Sequence, residues 1–346
     1  MRYTFPILTL SHGGAQRMLV EITNGLVDKG HDVTILMPQH AEVDYPVRAN
    51  IVRTSSPVLS ESDYPYSDVI VSNFYTTTES AHFASQNGKG IHVRFSLCYE
   101  PPFLEGNQYS LDTYNMTKHV IALSKWQQDL IRIMHGIESH IVPIGVNDTF
   151  RNLNIRSSLS PALRISAIVR KPEGGFSGHR GQPYLLHELR NIKQAYPSVQ
   201  INLFCPPREF SSSSTLQDLS RSGEFRFLTP ADDTEMCYHY NEADIFVSSS
   251  TYDAGSLPGL EAMRCGAALV TIYAGGNADY CRTEENCLMS YRYEGQLGRD
   301  IARLIEDPAL RGKLADQGAR DSLSWTWTRS VNAFEEAINR IMQAES

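Results

Sequence analysis

Strand-like and helix-like runs alternate along this chain from one end to the other, and that alternation constrains the fold more than any other feature. Residues 3–10, 33–37, 69–72, 92–95, 119–123 and 140–143 are short apolar runs of the kind that form strands buried on both faces. Between the first two, Met18, Leu19, Ile22, Leu26 and Val27 recur at three- and four-residue spacing, which predicts a helix over 16–29 that Gly30 ends. Ser124 caps a further helix over 125–135, stopped by Gly136. Residues 147–161 are mostly polar and read as a linker. A second series follows, with strands at 164–169, 200–204, 225–228, 245–248 and 268–272. Its helices are expected at 184–195, 234–241, 258–265, 296–306 and 308–317, and an amphipathic helix at 330–342 closes the chain. The serines at 211–214 read as a flexible loop. Two such series predict two doubly wound α/β domains with parallel sheets. A length of 346 residues suits that division, since one core serves roughly 150–200 residues. The expected boundaries are 1–150, 151–326 and a closing helix at 327–346.

Composition excludes several functions. Apolar residues make up 41% and charged residues 20%, a globular rather than disordered balance. The net charge of −8 argues against a sequence-independent nucleic-acid binder, which needs a basic surface. No apolar run approaches the roughly 20 residues that span a bilayer. Residues 1–10 carry one arginine, a proline and no small-residue cleavage site, so they read as a first strand and not a signal peptide. Six scattered cysteines form no C-x-x-C pair and read as free thiols in a reducing cytoplasm. No H-x-x-x-H pair occurs, and Asp232-Asp233 reads as a helix start, so no metal site is expected.

In sheets of this type ligands sit beyond the carboxyl ends of the strands, so the loops there are the candidates. The first contains Gly13 and Gly14, between the first strand and the first helix. Its glycines admit close backbone approach, and the following helix start suits phosphate. The spacing lacks G-x-G-x-x-G, so NAD and FAD are not indicated. The competing reading is a tight turn with no ligand. The second loop runs from Asp253 to Gly266. Ser256 caps a helix, Pro258 suits its first turn, and N–H groups near Gly255 and Leu257 are available to a ligand. Asp253 before this helix and Glu261 inside it are acceptors fitted to a hydroxyl-rich ligand. Alternatively, Asp253 caps the turn and Glu261 is solvated. The third loop gathers Arg170, Lys171 and Arg180 among Gly174, Gly175, Gly178 and Gly181. A guanidinium pair suits a diphosphate, and the competing reading is a plain surface loop. The fourth is Gly275-Gly276-Asn277, again after a strand.

Together these loops resemble a family. Gly13-Gly14, followed by Lys29-Gly30-His31-Asp32-Val33-Thr34, is similar to the opening of the retaining glycosyltransferases of family 4, whose two-domain fold is termed GT-B. Ala243 through Ser250, Asp253 through Gly266 and Gly275-Gly276-Asn277 resemble that family's donor site, and Trp325-Thr326-Trp327 the start of its closing helix. The resemblance implies two Rossmann-like domains facing across a cleft, with the C-terminal helix crossing back to the N-terminal domain. It also implies a metal-independent transferase of hexosyl type. A sugar would pass from a nucleotide diphosphate sugar to a hydroxyl of a glycan, glycolipid or small molecule, with no separate cofactor. Glu261 would hold the ribose and Asp253, in place of the usual glutamate, the donor sugar. Arg170 and Arg180 would meet the diphosphate, Gly14 would lie where the N-terminal loop approaches the donor, and Gly255, Ser256 and Leu257 would complete the phosphate cradle. Tyr99-Glu100-Pro101-Pro102-Phe103 resembles a subgroup that includes rhamnosyltransferases of surface-polysaccharide assembly, with Glu100 as a polar group facing the acceptor or simply a loop acid. A cytoplasmic place follows, at the inner membrane face where acceptors are lipid-linked, although the net charge lends no electrostatic support. A nucleotide-sugar epimerase and a catalytically silent nucleotide-sugar-binding protein are the alternatives on the same fold.

Overall fold

The buried apolar runs become parallel strands in the computed structural model, which describes residues 1–156, 162–173 and 178–345. The chain divides into two units, Met1–Gly145 with Thr326–Ser346, and Val146–Trp325. In the first unit the elements are β1 (Arg2–Pro6), α1 (Gly14–Asp28), β2 (Asp32–Met37), β3 (Asn50–Arg53), β4 (Val69–Ser72), α2 (Tyr75–Gln86) and β5 (Ile91–Phe95). They continue with α3 (Gln108–Thr113), β6 (Val120–Ala122), α4 (Lys125–His135) and β7 (His140–Ile141). The sheet order is β3-β2-β1-β4-β5-β6-β7, and Tyr3 stands between Val33 and Val69. β1 ends at Pro6, short of the expected residue 10, because proline cannot donate to a ladder; Leu10 instead bridges Val43.

The second unit contains β8 (Arg164–Ile168), α5 (Gln182–Ala195), β9 (Gln200–Phe204), α6 (Pro207–Ser211), α7 (Ser214–Arg221), β10 (Arg226–Leu228) and α8 (Asp233–Glu242). Then come β11 (Ile245–Ser248), α9 (Leu257–Arg264), β12 (Ala268–Ile272), β13 (Leu288–Ser290), α10 (Leu297–Glu306) and α11 (Pro308–Ser322). Its order, β10-β9-β8-β11-β12-β13, is all parallel. The order reverses between β8 and β11, where open sheets of this kind present their ligand crevice. Ile165, Val247, Val270, Leu189, Ile301 and Leu314 belong to one core between that sheet and its helices. The serines expected as a flexible loop are ordered: Ser211 ends α6, and the Ser213 hydroxyl accepts from Leu216 N at 3.2 Å to cap α7.

The polar run after Gly145 is not free over its described part. Leu153 N donates to Asn241 Oδ1 at 2.7 Å, and Arg156 donates to the carbonyls of Tyr240, Ala243 and Cys265. Those carbonyls end α8 and α9, so one guanidinium satisfies two helix C-termini. The rest of the expected linker, 157–161, lies outside the described residues. The last helix, α12 (Trp327–Glu345), is longer than its expected 330–342 and packs on α1 within the first unit. Phe334 meets the rings of Tyr3, Phe5 and Phe95, while Glu335 bonds Lys29 and His31 at 2.7 and 2.8 Å.

Candidate active site

The loops leaving β8 and β11 lie beside each other at the point of strand reversal. Thr251 N donates to His179 O at 2.8 Å, and the Ser249 hydroxyl donates to Arg180 O at 2.8 Å. Gly181 permits this approach: its φ is +60°, and a Cβ there would stand 2.6 Å from Ser249 O. Burial pushes the His179 imidazole down to about 4, the charges of Arg180 and Arg170 add to that, and Asp253 opposes it.

Asp253 is the hub of the loop into α9. Its Oδ2 accepts from Arg180 Nη1 at 3.0 Å, and its Oδ1 from Ser256 N at 2.8 Å and Gly255 N at 3.3 Å. Its main chain is anchored too: Asp253 N donates to Ala274 O at 2.7 Å, and Gly276 N to Asp253 O at 2.8 Å. Ser256 does not cap α9 with its hydroxyl, contrary to expectation. It sits in the left-handed region at φ +56°, held by Tyr280 Oη on its carbonyl at 2.7 Å, and the Asp253 carboxylate takes the N–H groups of Gly255 and Ser256 just ahead of the helix. Leu257 opens α9, and Glu261 follows one turn later, where the buried Tyr240 Oη donates to Glu261 Oε2 at 3.1 Å. Asn277 serves the fold: it is fully buried and bonds Ala274 N, Ile272 O and Thr271 Oγ1, which fixes the glycine loop.

Arg170 and Arg180 each hold a carboxylate of their own, Glu209 and Asp253. Arg170 Nε donates to both oxygens of Glu209 at 2.9 Å, its Nη2 also reaches Glu209, and Gln182 clips the Arg170 main chain at both N and O. Burial alone would raise the Glu209 carboxyl, but hydrogen bonds and charge from Arg170 bring it below its ordinary value. Glu209 lies in α6, a short helix with no apolar period to mark it, and the sequence offered only the cations of the 170–181 loop without their counter-charge. Gly174 through Ser177, part of the same cation-rich loop, lie outside the described residues.

In the first unit, Gly13 and Gly14 open α1 as expected. Tyr45 Oη accepts from Gly13 N at 3.0 Å, and Asp44 bonds the His12 ring at 3.0 Å. A Cβ on Gly14 would meet nothing within 4 Å. Asp44 and Tyr45 come from a loop with no periodicity to mark it. Glu100 is a correction: it does not face an acceptor. It is 2% exposed, and its oxygens take Arg94 Nη2 at 3.0 and 3.2 Å and Tyr114 Oη at 3.0 Å. Arg94 is itself fully buried, 3.5 Å above the Tyr114 ring, so removing Glu100 from this pair would strand a charge. Among the described residues, no three His, Cys, Asp or Glu side chains are grouped to hold a metal ion.

Residues 174–321, within the second unit, match the family described as Glycosyl transferases group 1. The chain is 27% identical over 120 residues to a D-inositol 3-phosphate glycosyltransferase of Salinispora arenicola, covering 34% of this chain and 27% of that protein. It is 22% identical over 244 residues to a mannosylfructose-phosphate synthase of Agrobacterium fabrum, covering 65% of this chain and 54% of that one. The matches thus span about a quarter and about half of these relatives' lengths. Among solved structures, sucrose-phosphate synthase from Thermosynechococcus elongatus superposes with a TM-score of 0.80 at 16% identity, covering 99% of this chain and 100% of that one. The Anabaena protein HepE, solved in complex with UDP and glucose, superposes with a TM-score of 0.79 at 18% identity, covering 98% and 100%. These likenesses establish the fold: two parallel-sheet α/β units of 7 and 6 strands, as in GT-B glycosyltransferases.

Proposed function

We propose that the chain is a retaining, metal-independent glycosyltransferase that moves a hexosyl group from a nucleotide diphosphate sugar to an acceptor hydroxyl. The family match within the second unit, two glycosyltransferase relatives and a GT-B neighbour bound to UDP and glucose support that reading. The observation that carries it is the grouping of Asp253, Arg180, the start of α9 and Glu261 around the reversal between β8 and β11. Glu261 takes the ribose hydroxyls, with one oxygen already oriented by Tyr240. Asp253 takes hydroxyls of the donor sugar. Arg180, Arg170 and the first N–H groups of α9 stabilise the diphosphate as charge builds on it. The bond from the anomeric carbon to the phosphate oxygen breaks, and a bond to the acceptor oxygen forms on the same face. The acceptor proton passes to the leaving phosphate oxygen, so no protein base is required. Cell-surface glycans, glycolipids and glycosylated metabolites are the acceptor classes in view.

The test is incubation of the purified chain with a panel of nucleotide sugars, with and without hydroxyl acceptors, read by mass spectrometry and NMR. The reading expects a glycoside of unchanged anomeric configuration plus a nucleoside diphosphate. An isomerised nucleotide sugar formed without acceptor would mean epimerisation, and an inverted glycoside would overturn the same-face step.

A further inference from the structure

The charged side chains at the strand reversal are already grouped as ion pairs, Arg180 with Asp253 and Arg170 with Glu209. The donors on Asp253 are the set a phosphate needs: the main-chain N–H groups of Gly255 and Ser256 and the Arg180 guanidinium. We propose that the Asp253 carboxylate holds the place of the donor's phosphate, and that the protein thereby selects an intact nucleotide sugar over the bare nucleoside diphosphate. This rests on the donor-site reading above and concerns what regulates that same site.

A diphosphate entering the site must take Arg180 and the two N–H groups from Asp253. The displaced carboxylate has little room to leave, because the main chain on both sides of it is bonded to the glycine loop at Ala274 and Gly276. An aspartate side chain is also short, so the carboxylate stays close to the phosphate that displaced it. What happens next depends on the ligand. A sugar on the diphosphate presents hydroxyl donors, and these replace the bonds the carboxylate lost. A bare nucleoside diphosphate presents none and leaves two anions side by side with their shared cation. The intact donor is therefore favoured, and the product nucleotide is expelled once the sugar has gone. The same reasoning gives the aspartate a purpose. Its length suits acceptance from N–H groups two and three residues ahead, which is the geometry seen here at Gly255 and Ser256, and a glutamate would not fold back so readily.

The test is isothermal titration of the full chain and its Asp253→Asn and Asp253→Glu variants. The ligands are inorganic pyrophosphate and UDP, GDP, ADP and dTDP, each nucleotide with and without glucose. Asparagine can still accept from the two N–H groups, so it preserves the turn while removing the charge. The proposal expects the wild type to bind one sugar nucleotide about tenfold or more tightly than the matching diphosphate. In both variants the diphosphate and pyrophosphate should gain about tenfold, which closes that gap. If the variants bind diphosphate and pyrophosphate no better than the wild type, the proposal falls while the donor site stands. If the wild type binds none of the sugar nucleotides, the donor-site reading falls and takes the proposal with it.

Discussion

Gly276 is glycine because there is no room for anything else. A Cβ there would stand 2.0 Å from Ala254 O and 2.8 Å from Gly255 N, both main-chain atoms that cannot turn aside. Gly276→Ala should therefore force apart the two loops that anchor Asp253, at a cost of about 1–3 kcal/mol. Urea denaturation checks this, and an unchanged midpoint would mean that the loops separate freely. Arg180 is the second residue to test. Losing its charge-assisted bonds should weaken nucleoside diphosphate binding by about 1.5–3 kcal/mol, readable by titration of Arg180→Ala. Unchanged affinity would put the diphosphate elsewhere. At this scale the sequence was only half legible. Asp253 and Glu261 stood out because two acids flanked a helix start after a buried strand. The partners of Glu261 and Arg170 did not, because Tyr240 and Glu209 reach them from distant segments that nothing local marks. Glu100 misled for the same reason: its partner Arg94 sits in β5, where a strand residue gives no hint of a buried ion pair.

The central strands and the helices with regular apolar spacing were readable because burial on both faces leaves little choice of residue. The elements that escaped lack that signature. β3 is largely exposed, β13 has three residues, and α2 opens with Tyr75 and three threonines and has no apolar period. One strand carries a pH dependence. His92 in β5 is fully buried, with Nε2 at 2.8 Å from Ser72 Oγ. Burial, helped by the charges of His82, Arg94 and His119, pushes its pKa down to about 3 from the usual 6.5. Between those values the unfolded chain binds a proton that the folded chain does not, so stability is complete above 6.5 and falls as pH drops toward 3. The loss between pH 7 and pH 5 should be about 2 kcal/mol, measured by urea denaturation at both. His92→Asn should show a smaller difference between the two pH values, whatever its stability at pH 7. An equal pH dependence in the variant would assign the acid sensitivity to other groups.

For the molecule as a whole, the second unit groups the candidate site residues at one sheet's carboxyl edge, and the first unit is completed by a helix from the far end of the chain. No helix of the described residues is long and apolar enough to cross a membrane. If arginines and the start of α9 provide the charge stabilisation, transfer should persist in EDTA. Activity that EDTA removes and Mn²⁺ or Mg²⁺ restores would show that a metal has that role. The central claim, a nucleotide site built on α9, is tested most directly by thermal denaturation of the wild type and Glu261→Gln against a panel of nucleoside diphosphates and nucleotide sugars. At about 100 times its dissociation constant, the true ligand should stabilise the wild type by roughly 2.7 kcal/mol. At the same concentration Glu261→Gln should lose most of that gain, since one charged acceptor bond is worth about 1.5–3 kcal/mol. No stabilisation of the wild type by any nucleotide, or equal stabilisation of the variant, would contradict the account.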